Sequence, residues 1–117
     1  MKTIVLILLF WAGMAAAQEA SVAAGAALRG LDKLDGEQTD IDLQSGQTVQ
    51  FGQLTVELKE CRYPAGNPSG DAFAYLVIRE ESSTEPLYSG WMIASAPALN
   101  PLDHSRYDIW VMRCTTS

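Results

Sequence analysis

The strongest constraint on the fold is a series of short segments in which apolar and polar residues alternate. In the clearest of them, residues 54–61 (LTVELKEC), Leu54, Val56 and Leu58 share one face and polar side chains occupy the other. A period of two is typical of a half-buried β-strand, because on a helix the same residues would scatter polar groups around the axis. We therefore predict a strand over 54–61.

Other strand-like segments lie on both sides of this one and are separated by turn-forming residues. They cover residues 39–43, 48–51, 72–80, 87–95 and 107–114. Glycine, proline and polar clusters separate them, and no amphipathic helical pattern interrupts the series. Six or seven short strands of this kind predict an all-β fold, a small antiparallel β-sandwich or barrel. The last three segments are apolar on both faces, which indicates either the centre of the structure or a contact surface.

The chain begins with a segment typical of an exported protein. Lys2 precedes an apolar run over 4–14, and Ala15, Ala16 and Ala17 offer the small residues that signal peptidase reads. The run has about 11 residues, which fits a signal peptide and falls short of the about 20 that span a bilayer. We predict a cleaved signal peptide over 1–17 and a periplasmic location, with an uncleaved membrane anchor as the alternative.

The remaining residues are enough for one small domain. Residues 18–27 are rich in alanine, lack large apolar side chains and have no period, so we predict a flexible arm there. Residues 28–117 are then a single β domain, with no transmembrane segment in the mature chain.

The charge of the chain excludes one class of partner. Eight Lys and Arg stand against 14 Asp and Glu, a net charge of −6. Binding to nucleic acid requires clustered Lys and Arg that neutralise phosphates, so we predict no nucleic-acid partner. The same acidity disfavours adsorption to anionic lipid headgroups.

The two cysteines, Cys61 and Cys114, are predicted to form a structural disulfide, because an even count in an exported chain indicates pairing. A metal site would require more Cys or His at short spacing, and a thiol oxidoreductase would have C-x-x-C. Neither pattern occurs in the sequence, so we predict no metal and no cofactor. Each cysteine ends a predicted strand, and the disulfide would bring those two strand ends together.

Candidate catalytic residues are few. His104, the single histidine, lies beside Asp103 and near Ser105, but neighbouring residues of an extended chain point apart and do not form a catalytic triad. His104 is expected to be exposed or to form local hydrogen bonds. The acidic pairs, such as Asp40 and Asp42, are expected on solvated strand faces. We therefore predict that the protein is not an enzyme and name no catalytic residue.

Aromatic residues crowd the second half of the chain and are the remaining candidates for binding. Tyr and Trp fill small β cores but are also enriched in binding hot spots, and the sequence leaves both roles open. Trp91 and Trp110 are expected to pack near the disulfide or against each other. The candidate contact surface consists of Tyr63, Pro64, Trp91, Pro97, Leu99, Pro101 and His104.

Several motifs together resemble a known family. They are FG-x-L followed by L-x-x-CRYP, then SGWM-x-AS-PAL, then YD-x-W-x-x-RC, and they cover roughly residues 28–114. This order resembles a family of small exported alphaproteobacterial proteins of unknown function. The resemblance implies an export leader, the pairing of the two cysteines and a non-enzymatic role. It also implies association with respiratory complex I, because members tend to be encoded near an accessory subunit of that enzyme.

Two functional hypotheses follow. The first is an exported binding or assembly module that docks on a protein partner at the periplasmic face of an inner-membrane complex, with respiratory complex I as the named candidate. The second is a binder of small molecules or glycans, or a minor hydrolase, that uses the region 89–104. The first predicts an exposed apolar surface, and the second predicts a pocket in which His104 and a carboxylate converge.

Overall fold

The computed structural model describes residues 19–116, and the predicted signal peptide lies outside this range. Within it the chain forms eight β-strands. They are β1 (Ala20–Val22), β2 (Gly25–Asp32), β3 (Glu37–Gln44), β4 (Thr48–Phe51), β5 (Leu54–Pro64), β6 (Phe73–Glu80), β7 (Pro86–Ile93) and β8 (Tyr107–Thr115). The described residues include no helix long and apolar enough to cross a membrane.

The strands form two antiparallel sheets, which confirms the predicted sandwich. Sheet A has five strands in the order β1-β5-β6-β7, with β4 also paired to β5. Sheet B has three strands in the order β3-β2-β8. Strand β5 is long enough to take two short partners on one edge, β4 beside Leu54–Glu57 and β1 beside Arg62–Pro64.

The predicted flexible arm over 18–27 is wrong for most of its length. Residues 20–22 form β1, and residues 25–27 begin β2, which pairs with both β3 and β8. Ala26 is completely buried and Ala27 is 6% exposed. The small side chains, which gave no hydrophobic period, allow close contact between strands: a Cβ on Gly25 would lie 3.0 Å from the Cα of Gln44.

The core lies between the inner faces of the two sheets. Its largest fully buried side chains are Leu28, Leu54, Leu58, Leu76, Ile78, Ile109, Val56 and Cys61. The alternation that predicted the strand over 54–61 is observed as fully buried Leu54, Val56 and Leu58 with more exposed residues between them.

The predicted disulfide is confirmed. Cys61 of β5 and Cys114 of β8 are bonded, with their Cα atoms 5.7 Å apart. Because β5 belongs to sheet A and β8 to sheet B, the bond joins the two sheets covalently.

Two glycines at the opposite end of the sandwich lie directly under aromatic rings. The rings of Phe51 and Tyr107 meet edge to face at 5.4 Å. A Cβ on Gly30 would lie 2.7 Å from the Phe51 ring, and a Cβ on Gly52 would lie 2.6 Å from the Tyr107 ring. The two sheets therefore approach closely here because these positions carry no side chain.

Candidate functional site

The solvent-facing side of sheet A carries an apolar row where a sandwich would ordinarily be polar. Phe73 and Tyr75 of β6 and Trp91 and Ile93 of β7 alternate with buried inward residues, so they point away from the core. All four are partly exposed. The register places Phe73 beside Ile93 and Tyr75 beside Trp91. We call these four residues the aromatic face.

The aromatic face is held in place by contacts among its own side chains. The rings of Tyr75 and Trp91 meet edge to face at 5.2 Å, and the Tyr75 hydroxyl lies 3.1 Å from the Ser89 hydroxyl. The Arg62 guanidinium lies 5.3 Å from the centre of the Trp91 ring and forms an ion pair with Glu60 at 2.6 Å. Aromatic residues fixed in this way lose little side-chain freedom on binding, which favours a contact surface.

A groove of about 400 Å³ runs along one end of this face. Its lining consists of Ala20, Arg62, Phe73, Trp91 and Ile93. Strand β1, in the segment predicted to be a flexible arm, therefore borders the aromatic face.

Trp91 and Trp110 do not pack against each other or against the disulfide, so that prediction is wrong. Trp110 alternates with buried Ile109 and Val111 of β8, which places its side chain on the outer side of sheet B. The two tryptophans therefore lie on opposite outer sides of the sandwich.

The loop 94–106 is hydrogen-bonded to the free edge of β7 near Trp91. The side-chain amide of Asn100 donates a hydrogen bond to the backbone carbonyl of Trp91 at 3.1 Å. The Tyr88 hydroxyl donates one to the backbone carbonyl of Asn100 at 2.7 Å. Leu102 of the same loop is 6% exposed and joins the core. These contacts occupy the edge of β7 at Trp91, so part of this loop is structural.

Other residues of the loop are exposed, as predicted. Leu99 is 68% exposed, and Pro97 and Pro101 are exposed as well. Pro97 and Pro101 flank a second groove, of about 430 Å³, between the loop and β8. Its lining consists of Pro97, Ala98, Pro101, Asp108, Ile109 and Trp110.

His104 is anchored within the fold by both of its ring nitrogens. Its Nδ1 accepts hydrogen bonds from the backbone N–H of Arg106 and Tyr107 at 3.0 and 3.1 Å. Its Nε2 lies 3.1 Å from a carboxylate oxygen of Glu80. The expected local hydrogen bonding is confirmed, and His104 shapes the turn that leads into β8 instead of joining an exposed contact surface.

Tyr63 and Pro64 lie in β5 and not in a loop. Pro64 pairs with Ala20 and Tyr63 with Ser21 of β1, and Tyr63 packs against the core. Both residues belong to the predicted contact surface, but they are half-buried because β1 extends sheet A alongside them.

Asp71 joins the loop before β6 to the end of β7. Its carboxylate accepts hydrogen bonds from the backbone N–H of Ala72 and Ser95 and from the Ser95 hydroxyl. Burial raises the pKa of Asp71, but these three hydrogen bonds outweigh burial and hold it below its ordinary value. On sheet B, the bidentate contact with Arg106 lowers the pKa of Asp32, despite an opposing effect of burial.

From the lowered pKa values of Asp71 and Asp32 we predict that the fold loses stability in acid. Since both folded-state pKa values lie below the unfolded-state value, the unfolded chain binds more protons in acid. Their stabilisation is fully present above the ordinary carboxyl pKa of about 4 and is lost as the pH falls through the lowered values. Urea titrations at several pH values are expected to show that the free energy of unfolding decreases below about pH 4, and Asp71→Asn should flatten that decrease. A pH-independent difference between wild type and Asp71→Asn would contradict this account.

No group of three or more His, Cys, Asp or Glu residues suited to a metal ion occurs among residues 19–116. The sequence did not predict that Phe73, Tyr75 and Ile93 point outward. The signal for this placement was that the segments 72–80 and 87–95 are apolar on both faces.

Comparison with known proteins identifies a family but no activity. Residues 26–114 match the model of a family described as an uncharacterized protein conserved in bacteria (DUF2155). A curated uncharacterized protein of Rickettsia prowazekii (strain Madrid E) is 26% identical over 87 residues, which cover 72% of this chain and 56% of that protein. The chain thus matches little more than half the length of this relative. No solved structure matches.

The matched range begins within β2 and ends at Cys114, so it contains both cysteines and all three motifs that carried the resemblance. The predicted resemblance to a family of unknown function is thereby confirmed, and the chain belongs to the uncharacterized bacterial family DUF2155.

Proposed function

We propose that this protein is an exported, non-enzymatic binding module that docks on a protein at the periplasmic face of the inner membrane, with respiratory complex I as the named candidate. The observation that carries the proposal is the aromatic face on the outer side of sheet A. Trp, Tyr and Arg are the residue types most enriched in binding hot spots, and here they lie in contact with one another.

The charges around the aromatic face support a protein partner. Glu60 pairs with Arg62, and Glu57 pairs with Arg79 and Lys59 at 3.5 and 3.3 Å. The charged side chains that border the aromatic face thus neutralise one another, although the chain as a whole is acidic. An apolar centre bordered by polar groups is the usual anatomy of a protein–protein interface.

The proposal is tested by capture of partners from detergent-solubilised membranes with the tagged, exported protein, followed by mass spectrometry. Wild type is expected to enrich one membrane complex, and complex I subunits are the expected identity. Trp91→Ala should reduce capture roughly 30-fold, because a hot-spot tryptophan contributes about 2 kcal/mol. Leu34→Ala is the matched control, since Leu34 is 76% exposed in the hairpin between β2 and β3 of sheet B.

The outcomes separate the two parts of the proposal. Enrichment of a different membrane protein that depends on Trp91 would support docking through the aromatic face and reject complex I. Equal capture by wild type and Trp91→Ala, or capture of nothing, would reject the docking surface itself. Circular dichroism of each variant shows that the fold is retained.

A further inference from the structure

The groove between the loop 94–106 and β8 combines apolar walls with one carboxylate. Pro97, Ala98 and Pro101 form one side, and the consecutive β8 residues Asp108, Ile109 and Trp110 form the other. Asp108 is half-buried. This site lies on sheet B and shares no residue with the aromatic face or its groove.

The Asp108 carboxylate has no ion-pair or hydrogen-bond partner among residues 19–116. The cations nearest to it along the strands have other partners. Arg29, which lies opposite Trp110 in the register, pairs with Asp40 at 2.9 Å. Arg106, two residues before Asp108, pairs with Asp32 at 2.9 Å.

An unpaired carboxylate in an apolar groove restricts what the groove can bind. A purely apolar ligand would remove water from the carboxylate without replacing its hydrogen bonds, which costs free energy. An anion would be repelled. A cationic group satisfies the carboxylate, and a cation on an apolar stem also covers the prolines.

From this charge complementarity we propose that the groove binds an arginine side chain presented by a partner protein. Its methylene stem lies along Pro97, Ala98 and Pro101, and its guanidinium pairs with the Asp108 carboxylate beside the Trp110 indole. A guanidinium is favoured over an ammonium because its planar fork forms two parallel hydrogen bonds with a carboxylate, stacks on aromatic rings and is more weakly hydrated.

The test uses a small probe and not a partner, so its result does not depend on the function proposed above. The ¹⁵N-labelled domain is titrated with Nα-acetyl-L-arginine N-methylamide while the Trp110 indole N–H signal is followed by NMR. We expect a saturable shift with a Kd in the millimolar range. The matching citrulline derivative has nearly the same shape and no charge, and it should bind at least tenfold more weakly.

Asp108→Asn should weaken binding of the arginine probe at least tenfold with little other change in the spectrum. Asp103→Asn is the matched control, because Asp103 is an exposed carboxylate of the loop 94–106 that does not line the groove. The proposal is overturned by the absence of a saturable shift, by equal binding of the citrulline derivative, or by equal losses in Asp108→Asn and Asp103→Asn.

Discussion

Replacement of both cysteines by alanine is expected to lower the free energy of unfolding by about 4 kcal/mol. The disulfide closes a loop with a sequence separation of 53 residues. In the chain-entropy model, opening a loop of that length returns about this much conformational freedom to the unfolded chain. A small domain changes its Tm by about 4–8 °C per kcal/mol, so the expected decrease in Tm is roughly 15–30 °C.

Chemical and thermal unfolding, followed by tryptophan fluorescence and circular dichroism, measure this loss. The matched control is the wild-type protein with and without reductant, which opens the bond but retains both sulfur atoms in the core. A similar loss on reduction would assign the effect to the covalent bond and not to the packing of the fully buried Cys61. A loss below about 1 kcal/mol in both experiments would contradict the entropic account.

Gly52→Ala is expected to destabilise the fold by about 2–4 kcal/mol. Gly52 has a φ of +60°, a left-handed conformation that costs an alanine about 1 kcal/mol. The new Cβ would also lie 2.6 and 2.7 Å from carbon atoms of the Tyr107 ring, and forcing a buried ring to move costs about 1–3 kcal/mol. Tyr107 is only 2% exposed, so its ring has little room to shift.

Gly36→Ala separates the two contributions. Gly36 has a φ of +79°, but nothing lies within 4 Å of where its Cβ would be. It should therefore cost only the backbone term of about 1 kcal/mol. Equal losses for Gly52→Ala and Gly36→Ala, measured by urea unfolding, would show that the approach of Tyr107 to Gly52 is not tightly packed.

The fold was largely predictable because large apolar side chains mark the inner faces of its strands. Strand β5 was predicted over 54–61, and it extends to Pro64 because β1 pairs with its last residues. β1 and the whole of β2 were missing from the predicted strands. The alanine and glycine residues at the start of β2 carry little hydrophobic signal, and their burial depends on strands that lie far away in sequence.

The candidate site was only partly predictable. The composition of β6 and β7 indicated two apolar faces, and strand alternation places Trp91 and Ile93 together. Which of the two faces meets the core depends on sheet order, and sheet order is not encoded in any local pattern. Several residues of the loop 94–106 were predicted to form a contact surface. Asn100 and Leu102 also give this loop a structural role, which emerges only when the loop folds against the edge of β7.

The bond between Cys61 and Cys114 also determines how the domain responds to tension applied at its two ends. A force transmitted along the backbone passes from residue 61 directly to residue 114, so the residues between them, including β6 and β7, bear no tension. Of the residues that the structure describes, only those before Cys61 and the two after Cys114 can extend, which limits the extension to roughly 3.3–3.6 Å for each of them. Strands β6 and β7, which carry the aromatic face, therefore stay within a closed covalent loop together with β8 up to Cys114, while the segment before Cys61 is pulled out.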